Sequence, residues 1–141
     1  MYFLDKSSFS LTIMDAKTIT QVVSAYFENL QQMNPEGWLA TFAEDGITYD
    51  PVGNPPSRVH EEYQKFFGLL SMAFAELEIS QDQIFVAGNG AAVKWKMRGL
   101  GKNGKEGIAE GISTFEMNDA GKIKQVCSYW DDAAMMAQIK G

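Results

Sequence analysis

The sequence predicts an α+β domain in which a curved antiparallel sheet is wrapped on one face by about three helices. Three observations predict it. Apolar residues recur at helical spacing through the first half of the chain, the apolar period falls to two from residue 76 onward, and Asn-Gly turn signals punctuate that second half. Helices first and a meander afterwards place the helices together on one side of the sheet.

Each element follows in order. Asp15 is an N-cap type, and Ile19, Val22, Val23, Tyr26, Phe27, Leu30 and Met33 behind it share one helical face, predicting a helix over 15–33. Asn34-Pro35 reads as N-cap and first helical position of a short helix with Trp38, Leu39 and Phe42 inward, stopped by Gly46. A strand over 47–50 comes next. The loop PVGNPP cannot be regular, because its prolines fix φ and remove donors while Gly53 permits a sharp turn. Ser57 is then expected to cap a third helix over 58–74, with Tyr63, Phe66, Phe67, Leu70 and Phe74 as its apolar stripe.

The strands are marked by Leu77 and Ile79, then by 84–87, by Val93, Trp95 and Met97, by 108–117 and by 123–130. Asn89-Gly90 and Asn103-Gly104 are hairpin signals, Asp119-Ala120-Gly121 is a third turn, and a last short helix begins near Asp131. Loop length at Asn103-Gly104 decides which face carries Lys94, Lys96 and Arg98, since register parity fixes the face. The alternation of Val93, Trp95 and Met97 favours a three-residue loop, which puts the basic row outside and opposite Glu110 or its neighbours.

At 141 residues the chain has room for one domain, expected over 15–141, with a loosely ordered extension over 1–14 and Met14 as an alternative start to Met1. The net charge of −6 and the absence of any Lys/Arg run exclude nucleic acid and anionic membrane as expected partners. Cys127 is the one cysteine, so an internal disulfide is excluded, and no Cys/His group has metal-ligand spacing. No signal peptide or membrane span is read, no cofactor or metal is expected, and a reducing cytoplasm is the simplest location. Eight Met and nine Phe fill a core or furnish an irregular apolar pocket.

The order of helix, short helix, strand ending in DPVGNPP, helix and meander ending in SYWDD resembles the nuclear transport factor 2-like superfamily, a cystatin-like roll closed to a cone-shaped half barrel. Within it, TFAEDGITYDPVGNPP is similar to the ketosteroid isomerases, and GKIKQVCSYWD to the SnoaL-like polyketide cyclase branch. The resemblance runs from about Ala16 to Trp130. It implies that Asp50 is the catalytic carboxylate, that Tyr26, 24 positions earlier, donates to the substrate oxygen, and that Trp130, 80 positions later, lines the pocket. Phe42, Phe67, Phe115, Met117 and Val126 are expected to line it too. The family's second donor, a protonated Asp, is replaced by Ser113, and its supporting tyrosines by Phe42 and Phe67.

These residue types suit one chemistry. A carboxylate that removes a proton beside a carbonyl works best when partial desolvation raises its pKa, and the enolate oxygen then needs fixed donors, each worth about 2.7–4 kcal/mol in the transition state. Tyr26 supplies one donor and Ser113 a weaker second. The resemblance therefore implies an isomerase-like enzyme acting on an apolar ring compound. The alternatives are a ligand-binding domain without turnover and a polyketide cyclase-like enzyme. Without the resemblance, Asp50 ahead of Pro51 reads as an ordinary turn residue. His60 reads as a solvated helix-start residue away from the His of the superfamily's dehydratases, and Cys127 as an inert thiol on the sheet's outer face. Apolar residues on that face, Ile108 and Ile112, together with the resemblance, imply a homodimer through the sheet.

Overall fold

A computed structural model describes residues 15–140 of the chain, so the expected extension over 1–14 lies outside the described residues. Helix α1 (Ala16–Gln31) begins where Asp15, extended at φ −79°, accepts a hydrogen bond from the Thr18 amide at 2.8 Å. It buries Ile19, Val23, Tyr26 and Phe27 against the sheet. Helix α2 (Pro35–Leu39) is capped by Asn34, whose side chain accepts from the Gly37 amide.

Helix α2 ends before the expected turn containing Phe42. The Thr41 carbonyl accepts from the Ile123 amide at 2.9 Å, which draws the chain into strand β1 (Phe42–Tyr49). Gly46 is not a helix stop but lies within β1, in a stretch where the pairing with the neighbouring strand shifts register. Ser57 does not cap the third helix either. It pairs with Thr48 in the two-residue strand β2 (Ser57–Arg58), so helix α3 (Val59–Ala73) starts behind Arg58, whose amide donates to Glu62 Oε2. Phe74, expected on the helix, opens strand β3 (Phe74–Ala87).

Strands β3, β4 (Gly90–Gly101), β5 (Glu106–Met117) and β6 (Ile123–Tyr129) form the expected meander. The sheet as a whole is mixed, not antiparallel: its order is β2-β1-β6-β5-β4-β3, and β6 runs parallel to β1. Three reversals after β3 deliver β6 beside β1 with the same polarity, and a period of two reports only which face a residue occupies, not strand direction. The sheet is open. Four helices occur among the described residues, the last being the expected short C-terminal helix, α4 (Asp132–Lys140).

Local chemistry explains the turns. The β3–β4 hairpin turns on Gly88 and Asn89, one residue earlier than the Asn-Gly signal, because Gly88 adopts φ 55° and Ala87 pairs with Gly90. The β4–β5 loop contains Lys102, Asn103 and Gly104; Gly104 sits at φ 84° and the Gly101 amide donates to the Lys105 carbonyl. This three-residue loop sets the register Val93 opposite Ser113 and Lys96 opposite Glu110. Val93, Trp95, Met97, Ser113, Phe115, Met117, Val126 and Ser128 consequently face inward and are buried. The basic row is outside, with Lys94 3.9 Å from Glu110, Lys96 3.7 Å from Asp82, and Arg98 paired to Glu78 and Glu106. A bulge between Gln81 and Gln83 switches the inward parity of β3 from Leu77 and Ile79 to Ile84 and Val86.

The core lies between α1–α3 and the inner sheet face. Its centre is aromatic: the Tyr26 ring meets Phe27 and Phe115 edge-on at 5.0 Å each, and Trp38 packs on Phe42, Phe66 and Phe67. Helix α4 adds Met135 and Ile139, seated over Gly99 and Gly107, where a Cβ would meet the Met135 side chain at 2.8 Å in each case. No described helix is long and apolar enough to cross a membrane.

Candidate active site

Asp50 follows the last residue of β1 and begins the PVGNPP loop, through a cis peptide bond to Pro51. The loop is held to the sheet by the Val52 amide donating to the Ser128 carbonyl at 2.8 Å. Trp130, just beyond β6, reaches the same point from the neighbouring strand, and its Nε1–H donates to Asp50 Oδ1 at 2.6 Å. The parallel pairing of β1 and β6 is what lets residues 80 positions apart meet at adjacent strand ends. Burial pushes the Asp50 carboxyl above the usual carboxylate range; the Trp130 hydrogen bond works against that rise and the negative charge of Asp132 adds to it.

Asp50 is half-buried and looks into an apolar cavity of about 80 Å³. Tyr26 and Phe27 of α1, Phe66 and Leu70 of α3, Trp95 and Met97 of β4 and Trp130 are among the residues of its wall. The Tyr26 ring is 3% exposed. Burial, followed by the nearby charge of Asp50, raises the phenol far above its ordinary value, while Trp38 and Ser128 at its oxygen favour the phenolate and offset part of the rise. Tyr26 therefore keeps its proton, and can donate it in a hydrogen bond, at neutral pH.

Ser113 lines the same cavity but its hydroxyl is already engaged. Trp95 Nε1–H donates to Ser113 Oγ at 2.9 Å, and Ser113 Oγ and Ser128 Oγ share a hydrogen bond of 2.8 Å. A hydroxyl has one proton to give, so the two serines together retain one O–H for a third partner. The structure thus brings Asp50, Tyr26, Ser113 and Trp130 to one cavity.

The other five expected pocket residues lie elsewhere. Phe42, Phe67, Phe115, Met117 and Val126 are buried in the core and do not line the cavity. Their apolar character was legible, but the inner sheet face supplies both the packed core, which they fill, and the cavity wall, to which Trp95, Met97, Ser113 and Ser128 contribute instead. Phe115 acts one step removed, as the edge against which the Tyr26 ring rests. His60 is exposed in the first turn of α3, and Cys127 is on the outer face of β6, where it accepts from Gln125 Nε2.

Sequence reasoning passed over a second cavity of about 140 Å³ on the other side of Asp50. Asp50 and Phe66 line both cavities; Trp38, Thr48, Asn54, Glu62 and Tyr63 belong to the second. It is the more polar of the two. Tyr63 donates to Glu36 Oε2 at 3.2 Å across the α2–α3 junction. The Asn and Glu in and after the proline loop were the available signal, but loop residues reveal their direction only once the chain is folded. No group of three or more His, Cys, Asp or Glu side chains able to hold a metal occurs among the described residues.

This constellation, a half-buried carboxylate and a buried phenol in the apolar mouth of an open α+β cone, is that of a small-molecule pocket. The chain belongs to the SnoaL-like domain family, whose profile matches residues 23–126, within the nuclear transport factor 2-like superfamily. No curated protein matches it in sequence. Among solved structures it is similar to an LEH-like epoxide hydrolase of M. tuberculosis at 17% identity, covering 88% of this chain and 90% of that one, with a TM-score of 0.72. It is similar to SalBIII, an epoxide hydrolase/cyclase-like enzyme in pyran ring formation in salinomycin, at 19% identity over 85% and 95%, TM-score 0.74. An NTF2-like protein of unknown function from Burkholderia pseudomallei K96243 aligns at 20% identity over 91% and 100%, TM-score 0.76.

Proposed function

We propose that the protein is an enzyme that moves a proton beside the carbonyl of an apolar ring compound, with Asp50 as base and Tyr26 as donor to the carbonyl oxygen. The observation that carries this reading is that the two groups line one apolar cavity, one as a carboxylate of raised pKa and the other as a phenol that keeps its proton. Asp50 takes a proton from the carbon next to the carbonyl, the C–H electron pair becomes a C=C bond, and the carbonyl oxygen gains the negative charge. Tyr26 O–H donates to that oxygen, while the remaining serine O–H stands at the Tyr26 oxygen. The protonated Asp50 then returns its proton to another carbon of the conjugated system, and the carbonyl re-forms.

The cavity favours small substrates. At about 80 Å³ it is smaller than the ~150 Å³ void that admits benzene, so a single ring enters with some yielding of the wall and a four-ring steroid does not fit without much larger movement. A ketone-bearing ring compound should turn over with the wild type, and Asp50→Asn should abolish that turnover. Undiminished turnover in the variant overturns the assignment.

A second reading is a ligand-binding domain without catalysis, favoured by Ser113, whose hydroxyl is engaged by Trp95 and Ser128 where the resembling isomerases have a carboxylic acid. Tight binding of 2-naphthol without turnover of any tested ketone distinguishes it. The epoxide hydrolase and cyclase activities of the structural neighbours make a cyclase-like reaction on the same carboxylate a third variant of the enzyme reading. We further propose a homodimer through the outer sheet face, where Ile108, Ile112 and Tyr129 are 65%, 47% and 54% exposed, and a reducing, cytoplasmic location suited to the thiol of Cys127.

A further inference from the structure

Two residues belong to the walls of both cavities, Asp50 from just beyond β1 and Phe66 from the middle of α3. The inner side of α3 explains the second of them. Val59, Tyr63, Phe66 and Leu70 follow one another at intervals of four, three and four, so they stand in a row along one side of the helix. Val59 and Tyr63 border the second cavity, Leu70 borders the first, and Phe66 borders both. The cavities therefore succeed one another along α3, with the Phe66 side chain where one gives way to the other. Asp50 marks the same crossing from the sheet side, where the Trp130 N–H fixes it at 2.6 Å. Phe66 is held by ring packing on Trp38 and Phe67, with centroids at 5.3 and 5.2 Å, and stays partly exposed.

The sizes make this boundary matter. At about 80 and 140 Å³, each cavity is below the ~150 Å³ void that admits benzene. A ligand that outgrows the first cavity toward Asp50 meets Phe66, and behind it a space large enough for a short chain. We infer that Phe66 is the specificity-determining residue for ligand length: its side chain closes the first cavity toward the second, so the site takes a compact single-ring compound and rejects a ring carrying a chain directed at Phe66. This deepens the reading of the first cavity as a small-molecule site and rests on it. The Phe66 side chain has no acid, base or hydrogen-bonding atom, so it acts on which ligand enters and takes no part in moving a proton.

The test uses the full chain as wild type, Phe66→Ala and Phe66→Leu, with binding of phenol and of 2-, 3- and 4-propylphenol read by NMR titration. In the wild type the isomer whose chain points at Phe66 should bind most weakly of the three. In Phe66→Ala that same isomer should gain about tenfold relative to the other two, within the ~fourfold in affinity that each buried CH₂ group is worth. Phe66→Leu, which keeps an apolar side chain against Trp38 and Phe67, should favour the same isomer by a smaller factor, and it decides the matter if Phe66→Ala does not fold. An equal gain for all three isomers overturns the inference, since it reports a loosened pocket and not a removed boundary. So does an unchanged order of isomers in a variant that still binds phenol; either result leaves the first cavity standing as a ligand site. Failure of phenol to bind the wild type removes the pocket reading and this inference together.

Discussion

Asp50 is held in a site that does not suit its charge, and that mismatch has a measurable sign. Its folded pKa is raised above the unfolded value, so the folded state holds the proton more tightly. Stability is unaffected below the unfolded carboxyl pKa of about 3.9 and is lost as pH climbs from there through the raised folded value. Asp50→Asn keeps an oxygen to accept from Trp130 and removes the penalty. It should therefore be more stable than the wild type at neutral pH, with the difference in denaturation midpoint vanishing at about pH 3. The same shift should place the acid limb of any turnover above the ordinary carboxylate range, read as a pH–rate profile. Tyr26→Phe retains the ring contacts with Phe27 and Phe115, so folding should persist while turnover falls by about 10²–10³. At this scale the sequence was informative where a spacing or motif carries the signal, as for Asp50, Tyr26 and Trp130. It was silent on the second cavity beside Asp50, because Trp38, Thr48, Asn54 and Glu62 converge there from different elements only once the chain is folded.

Among the elements, the hairpin loops and the bulge do the work of aiming side chains. The three-residue β4–β5 loop puts Ser113 inside and Lys94, Lys96 and Arg98 outside, a register that alternation along β4 had indicated. Gly104 makes the loop possible at φ 84°, with open space around it. Gly104→Ala should consequently cost about 1–2 kcal/mol through backbone strain alone, measured as a shift in urea midpoint with an unchanged slope. Less could be read at strand ends. The loss of Phe42 and Phe74 from helices to β1 and β3 reflects pairing with Ile123 and Gly101, partners remote in sequence. The parallel β1–β6 contact was beyond reach for the same reason, and it is the contact that assembles Asp50 with Trp130.

For the whole molecule, the sheet has two faces with different tasks. The inner face, with α1–α3, builds the core and the two cavities; the outer face combines cross-strand ion pairs with exposed Ile108, Ile112 and Tyr129. Ile112 and Tyr129 are direct partners across β5 and β6, so one charged substitution there interrupts the apolar strip without touching the pocket. Ile112→Glu should convert a dimer to the 15.7 kDa chain in light scattering; a wild type already at that mass rules the dimer out.

The shared wall between the cavities has an evolutionary corollary. Phe66 is one side chain on a half-exposed helix, packed on Trp38 and Phe67 but bonded to neither the carboxylate nor the phenol. Trimming or enlarging it would merge or isolate the two voids without disturbing the reacting groups. Substrate length is therefore adjustable by drift at a single codon, independently of the chemistry, which is how one scaffold can diversify across compounds of unlike size.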